Sequence, residues 1–179
     1  MATTTGLMTV EQYRELPKTC PFYYELRNGE LVQVSRPKLG HIRIQERLRE
    51  LLSAIFGQRG KVIVELPFRA LREYDLRVAD VAYVTLERWR KAIDAEDLFG
   101  APDLIIELLS PSNTVTDINE KIALCLANGC VEFWVVDRRL RQFQVSTPDG
   151  VTRTYRHGDS IQLKFGENTV KVDSVFAEE

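Results

Sequence analysis

Histidine and cysteine are scarce in this chain of 179 residues. There are two histidines, His41 and His157, and three cysteines, Cys20, Cys125 and Cys130. No two cysteines stand in a CxxC spacing, which argues against a structural zinc site. Their odd number also argues against a disulfide framework, and Cys125 falls in a helical pattern where it reads as a small apolar residue. The expected setting is reduced and cytoplasmic. No apolar run approaches twenty residues and no signal peptide is evident, so no membrane span is expected. Neither sign of charge dominates: 24 Lys and Arg face 26 Asp and Glu, for a net charge of −2. That balance argues against a strongly basic nucleic-acid binder, although a local basic surface can coexist with it. Internal repeats and low-complexity segments are absent.

What is present is ordinary soluble composition, 44% hydrophobic and 28% charged. The length predicts one domain over residues 9–179 behind a loose tail at 1–8. Thr9 and Gln12 fit a capping box for a short helix through Leu16, which Pro17 ends. Residues 22–27 and 30–35 flank Asn28-Gly29, a type I′ hairpin signal. Over 41–57, Ile44, Leu48, Leu51, Leu52, Ile55 and Phe56 recur at helical spacing, and Gly57 closes the helix. Strands follow at 61–66, stopped by Pro67, at 68–72 and at 77–84, with Val78, Asp80, Ala82 and Val84 on one face. A short helix is expected over 86–94 and a loop over 95–102.

The stretch from Ala101 to Val136 organises the rest. Strand 103–109, helix 115–128 capped by Asn113 or Thr114, and strand 131–137 make a βαβ crossover of about minimum length. Ser110 and Ser112 shape the turn between them. Strands at 140–146, 151–156, 160–165 and 169–172 form a C-terminal β-meander. The fold class expected is α/β (α+β), a mixed central sheet flanked by helices.

Two acids interrupt apolar strands: Glu107 between Ile106 and Leu108, and Asp80 between Ala79 and Val81. A buried carboxylate without a partner is costly, so such a group is paired, neutralised or bound to a metal. Two acids on two apolar strands suit Mg2+. Lys121, on the helix after the Glu107 strand, could orient or deprotonate water or stabilise charge on a phosphate. The competing reading is structural: Asp80 paired with Arg77 or Arg69, and Glu107 with Lys121.

The segments MTVEQYREL, YYELRNGELV, the Asp80 strand, APDLIIELLSPSN and DINEKIALCLANGCVEFWVVD together resemble the Uma2 (DUF820) family. That family is classed with restriction-endonuclease-like PD-(D/E)xK nucleases. The resemblance runs in matching order over roughly residues 8–146 and implies a restriction-endonuclease-like fold. It implies Asp80 and Glu107 as metal ligands and catalytic residues, with Ala79 where the family usually has proline. It implies Lys121 as the catalytic lysine, because the position two residues after Glu107 is Leu109. Asp103, in the literal Pro102-Asp103, is a second-choice ligand. Glu25 matches a family acid and is either a third acid of the site or an exposed hairpin charge. His41 matches a family histidine and either contacts substrate phosphate or caps the helix.

The function expected is a Mg2+- or Mn2+-dependent endonuclease in which activated water attacks a phosphodiester of DNA. Arg36, Lys38, Arg43 and Arg47 are the first candidates for backbone contact. Arg138, Arg139 and Arg141 lie in a hairpin turn that the charge pattern alone leaves solvated. The alternatives are a non-catalytic binding module of the same fold and a phosphoesterase acting on a small phosphate. A homo-oligomer, with a dimer favoured, is expected in either case.

Overall fold

The computed structural model describes residues 6–17, 23–111 and 113–177. Cys20, Ser112, Phe22 of the first expected strand and the first five residues of the expected tail lie outside them. Helix α1 (Val10–Arg14) opens on the Thr9–Gln12 capping box. Strands β1 (Tyr23–Arg27) and β2 (Glu30–Val34) pair antiparallel about Asn28 at φ 49° and Gly29 at φ 82°. Gly29 is needed twice over, since a Cβ there would also fall 2.6 Å from Leu7 Cβ. Helix α2 (Leu39–Phe56) buries Ile44, Leu48, Leu52 and Phe56, and Gly57 at φ 54° ends it.

Strand β3 runs unbroken from Gly60 to Arg69, so Pro67 does not stop it. Proline is tolerated near a sheet edge, and β3 gains an outer neighbour only from Phe68 onward. Next come β4 (Arg77–Thr85), α3 (Leu86–Ala92) and β5 (Leu98–Phe99), a two-residue strand inside the expected 95–102 loop. The crossover unit follows as expected: β6 (Leu104–Leu108), α4 (Val115–Ala127) and β7 (Glu132–Asp137), with β6 and β7 parallel. Thr114 is the cap of α4, while Asn113 Oδ1 accepts from the Ser110 N–H at 2.7 Å.

Strands β8 (Gln142–Ser146) and β9 (Thr152–Tyr155) extend the sheet to seven strands in the order β5-β3-β4-β6-β7-β8-β9. The chain then leaves that sheet. Strands β10 (Ser160–Gln162) and β11 (Thr169–Lys171) pair separately, and a short helix, α5 (Val172–Phe176), follows beyond the last expected strand. No helix among the described residues is long and apolar enough to cross a membrane.

Two cores result, one on each face of the sheet. Helix α2 and the C-terminal segment cover Val81, Tyr83, Leu104, Ile106, Trp134 and Phe143, with Phe56 stacked on Tyr83 at 3.7 Å between ring centroids. Helices α3 and α4 cover Ala82, Val84, Ile105, Phe133 and Val135. Each fully buried large apolar side chain contributes about 1.5–3 kcal/mol, so the sheet is held rigidly between two layers. That rigidity fixes whatever lies at its strand ends.

Candidate active site

Both β3 and β4 change face at one level. In β3, Val62 and Val64 pack toward α2 while Leu66 and Phe68 pack toward the opposite core. In β4, Val81 and Tyr83 face α2, yet Ala79 joins Ala82 on the other side. Strict alternation would put Leu66 with Val64 and separate Ala79 from Ala82. The expected single face for Val78, Asp80, Ala82 and Val84 is therefore broken at Asp80. The residues at the switch are Glu65, at φ 52°, and Asp80. A non-glycine residue at positive φ inside a strand is uncommon and strained, a feature that clusters at functional sites.

The registers put three acids in a row at this level. Val64 pairs with Val81 and Leu66 with Ala79, which sets Glu65 opposite Asp80. Val81 pairs with Ile106, which sets Asp80 opposite Glu107 one step on. The Leu108 N–H donates to Asp80 Oδ2 at 2.7 Å, fixing that carboxylate against β6. From α2, His41 Nε2 approaches Asp80 Oδ1 to 3.0 Å, and Gln45 Nε2 donates to Asp80 Oδ1 at 3.2 Å and to Glu65 Oε1. Burial works against a charged His41 ring, but Asp80 and Glu65 lift its pKa above the usual value. Burial pushes Glu65 up as well, and Asp80 adds to that.

From the opposite face, α4 delivers Lys121. Its Nζ donates to the Val78 carbonyl at 2.8 Å and lies 2.9 Å from Glu107 Oε1 and 3.8 Å from Glu25 Oε1. Burial penalises the ammonium, but the two carboxylates overcome that and raise its pKa. Glu107 has one cation for company and two acids, Asp80 and Glu25. Burial dominates, and its pKa is pushed up to about 7. Its side chain keeps 12% exposure, so water reaches one edge of the cluster. Glu25 is 5% exposed, which removes the exposed-hairpin reading. Its carboxylate accepts from the Val78 N–H at 2.9 Å and from Arg27 at 2.8 Å. Burial would raise it, but Lys121, the Val78 amide and Arg27 together hold it below its ordinary range.

Five of the expected residues thus converge: Glu25, His41, Asp80, Glu107 and Lys121. The structural partners proposed for Asp80 are engaged elsewhere. Arg77 pairs with Asp75 at 3.0 Å, and Arg69 with Glu11 at 3.0 Å. Asp103 is not brought in. It accepts from the Thr85 N–H at 2.9 Å and faces Arg88 at 3.3 Å, a structural tie between β4, β6 and α3. Arg47 is turned to the Ser174 carbonyl at 2.9 Å, and Arg43 to a separate cavity. Gln45 and Glu65 were missed. Glu65 carried the same signal as Asp80, an acid within an apolar run (KVIVEL), but Pro67 made it look like a strand end.

The residues fit a hard divalent cation. Donor atoms of His41, Glu65 and Asp80 all lie within 4.8 Å of one another. His41 Nε2 and Glu107 Oε1 are buried and take no aligned hydrogen bond among the described residues. Several carboxylate oxygens with one imidazole form a donor set for Mg2+ or Mn2+ rather than for a thiophilic metal.

A sequence model of the Uma2 family, described as "Putative restriction endonuclease", matches residues 10–171. A search of curated proteins found no match. Among solved structures, a protein described as "a putative nuclease belonging to DUF820" from Anabaena variabilis ATCC 29413 superposes with a TM-score of 0.79 at 21% identity. The alignment covers 94% of this chain and 97% of that one. At that identity the match establishes the fold.

Proposed function

The chain belongs to the Uma2 family of restriction-endonuclease description, and from that premise we propose that it is a divalent-cation-dependent endonuclease hydrolysing phosphodiester bonds in DNA. The observation that carries this is the row Glu65–Asp80–Glu107, flanked by His41 on one side and Lys121 on the other. Asp80 and Glu107 are the ligands assigned to Mg2+ or Mn2+, and Glu65 and His41 can complete the set. When bound, the cation supplies Lewis-acid stabilisation of the phosphate and lowers the pKa of water.

The protein's own groups divide the remaining work. The Leu108 amide holds Asp80 in place, leaving Asp80 Oδ1 toward His41 and Gln45. The carboxylates of Glu107 and Glu25 favour the protonated form of Lys121, which suits it to stabilising charge. Anchored on the Val78 carbonyl, it offers fixed positive charge where a pentacoordinate phosphate builds up negative charge. Glu25 accepts from the Val78 amide next to it and so supports the lysine's position. Glu107, titrating near neutrality, must be deprotonated to serve as a ligand.

Cleavage of plasmid and single-stranded DNA in Mg2+ and in Mn2+ tests the proposal. Wild type is expected to cut, and Asp80→Asn, Glu107→Gln and Lys121→Met each to lose at least about 100-fold, the scale of a single electrostatic contributor. Absence of cutting by wild type in both metals, or equal cutting by all three variants, defeats the reading.

A further inference from the structure

A cavity of about 730 Å³ opens beside the candidate active site and is not part of it. Four arginines line it, Arg43 from α2 and Arg138, Arg139 and Arg141 from the β7–β8 turn, with Asp137 as the one carboxylate in the lining. Its floor includes Leu109 and Ser110, two and three residues beyond Glu107, and Ile44, next to Gln45. The start of α2 lies close against Arg138: a Cβ on Gly40 would lie 2.5 Å from its guanidinium. Arg138 is also near enough to bear on the charge of His41.

The positive charge in this cavity is largely unspent. Asp137 is occupied by the turn itself, accepting from the Arg139 N–H at 2.8 Å and the Leu140 N–H at 2.9 Å. Arg141 is fixed on the Phe176 carbonyl at 3.0 Å, 5.7 Å from that ring's centroid. Arg43, Arg138 and Arg139 make no ion pair with any described residue, although the chain as a whole carries a net charge of −2. Mutually repelling cations held around one concavity are stabilised by an anion of matching shape, and guanidinium groups match phosphate oxygens bidentately. A cavity of this size lies in the range that encloses a small ligand. It accommodates a nucleotide unit of one strand rather than a whole duplex.

We infer that the Arg43–Arg138–Arg139–Arg141 cavity holds the phosphodiester backbone of a nucleic-acid strand next to the bond presented to the acid row. The inference rests on the nuclease reading for what the neighbouring site does, but its binding step stands apart from cleavage. The arginine side chains form charge-assisted hydrogen bonds to the phosphate oxygens, and the apolar floor packs against the sugar.

The test measures affinity of a labelled single-stranded DNA oligonucleotide against salt concentration, with EDTA and separately with Ca2+, checking that the strand stays intact. Arg138→Gln/Arg139→Gln is compared with wild type and with Arg153→Gln/Arg156→Gln, which removes the same charge from the exposed far meander. Equal melting temperatures confirm folding. The cavity variant is expected to bind at least tenfold more weakly at low salt. Its slope of log affinity against log salt should flatten by about 1.4, from roughly 0.7 per phosphate contact on a single strand. The control should keep most of the affinity. Equal loss in both variants reduces the effect to net charge and overturns the inference, as does unchanged binding in the cavity variant or no binding by wild type in either condition. DNA cleavage in Mg2+ is scored separately. Binding that depends on these arginines with no cutting by wild type sinks the nuclease reading alone, and cutting with arginine-independent binding sinks the cavity alone.

Discussion

Glu107 and Glu132 are acids on neighbouring parallel strands, and their surroundings separate their roles. Glu132 is 1% exposed, accepts from Trp134 Nε1 at 2.9 Å and from the Lys164 N–H at 2.5 Å, and ties the sheet to the C-terminal segment. Both its oxygens are used. Glu107 Oε1 has an ammonium beside it but no aligned donor, and two further acids near it. An acid kept in that state is costly to the fold and useful to a ligand. Because burial raises Glu107 to about 7, the folded chain holds a proton there after the unfolded chain has lost it. Its contribution to stability therefore falls as pH rises from about 4.5 through 7. Cleavage should rise over the upper part of the same window as the carboxylate becomes available, and a pH–rate profile that is flat between 6 and 8 would contradict this assignment. Removing Lys121 leaves Glu107 and Glu25 without their shared cation. Lys121→Met is expected to cost about 3 kcal/mol at pH 8, the scale of breaking a buried pair. The loss should be smaller at pH 5, where Glu107 is neutral, as read from urea denaturation at the two pH values.

Helix α4 brings one residue to the site, Lys121, from the middle of its length. Thr114 and Asp117 cap it reciprocally, with Thr114 Oγ1 accepting from the Asp117 N–H at 3.1 Å. Thr114→Ala should lower stability by about 1 kcal/mol. Cleavage should survive, because Lys121 is held by Val78 and Glu107 at the middle of the helix rather than by its first turn. Elements of this kind were legible from the sequence. Caps, hairpin dipeptides and apolar periodicity act within a few residues, so α1, the β1–β2 hairpin, α2 and the β6–α4–β7 unit follow from local chemistry. The short strand β5, the unbroken passage of β3 through Pro67 and the helix α5 depend on which neighbours the fold supplies. No local pattern encodes those neighbours.

At the scale of the whole molecule, the site is assembled where helices from both layers meet the interior of β3 and β4 and the end of β6. Helix α2 brings His41 and Gln45 from one face, α4 brings Lys121 from the other, and the face switch at Glu65 and Asp80 turns the row of acids between them. Asp80, Glu107 and Lys121 stood out in the sequence because charge inside an apolar pattern is costly wherever the fold puts it. Gln45 and the arginine cavity did not, because an amphipathic helix face and a charged hairpin turn look solvated until a distant segment is laid against them, and Glu65 was hidden by Pro67, which reads locally as a strand end. Diffraction from crystals soaked in Mn2+, recorded near the manganese absorption edge, tests the central claim most directly. An anomalous peak is expected in contact with the carboxylates of Asp80 and Glu107, lost in Asp80→Asn. Manganese bound only elsewhere, for instance at the exposed His157–Asp173 pair, or no peak between Asp80 and Glu107 at saturating Mn2+, would contradict it.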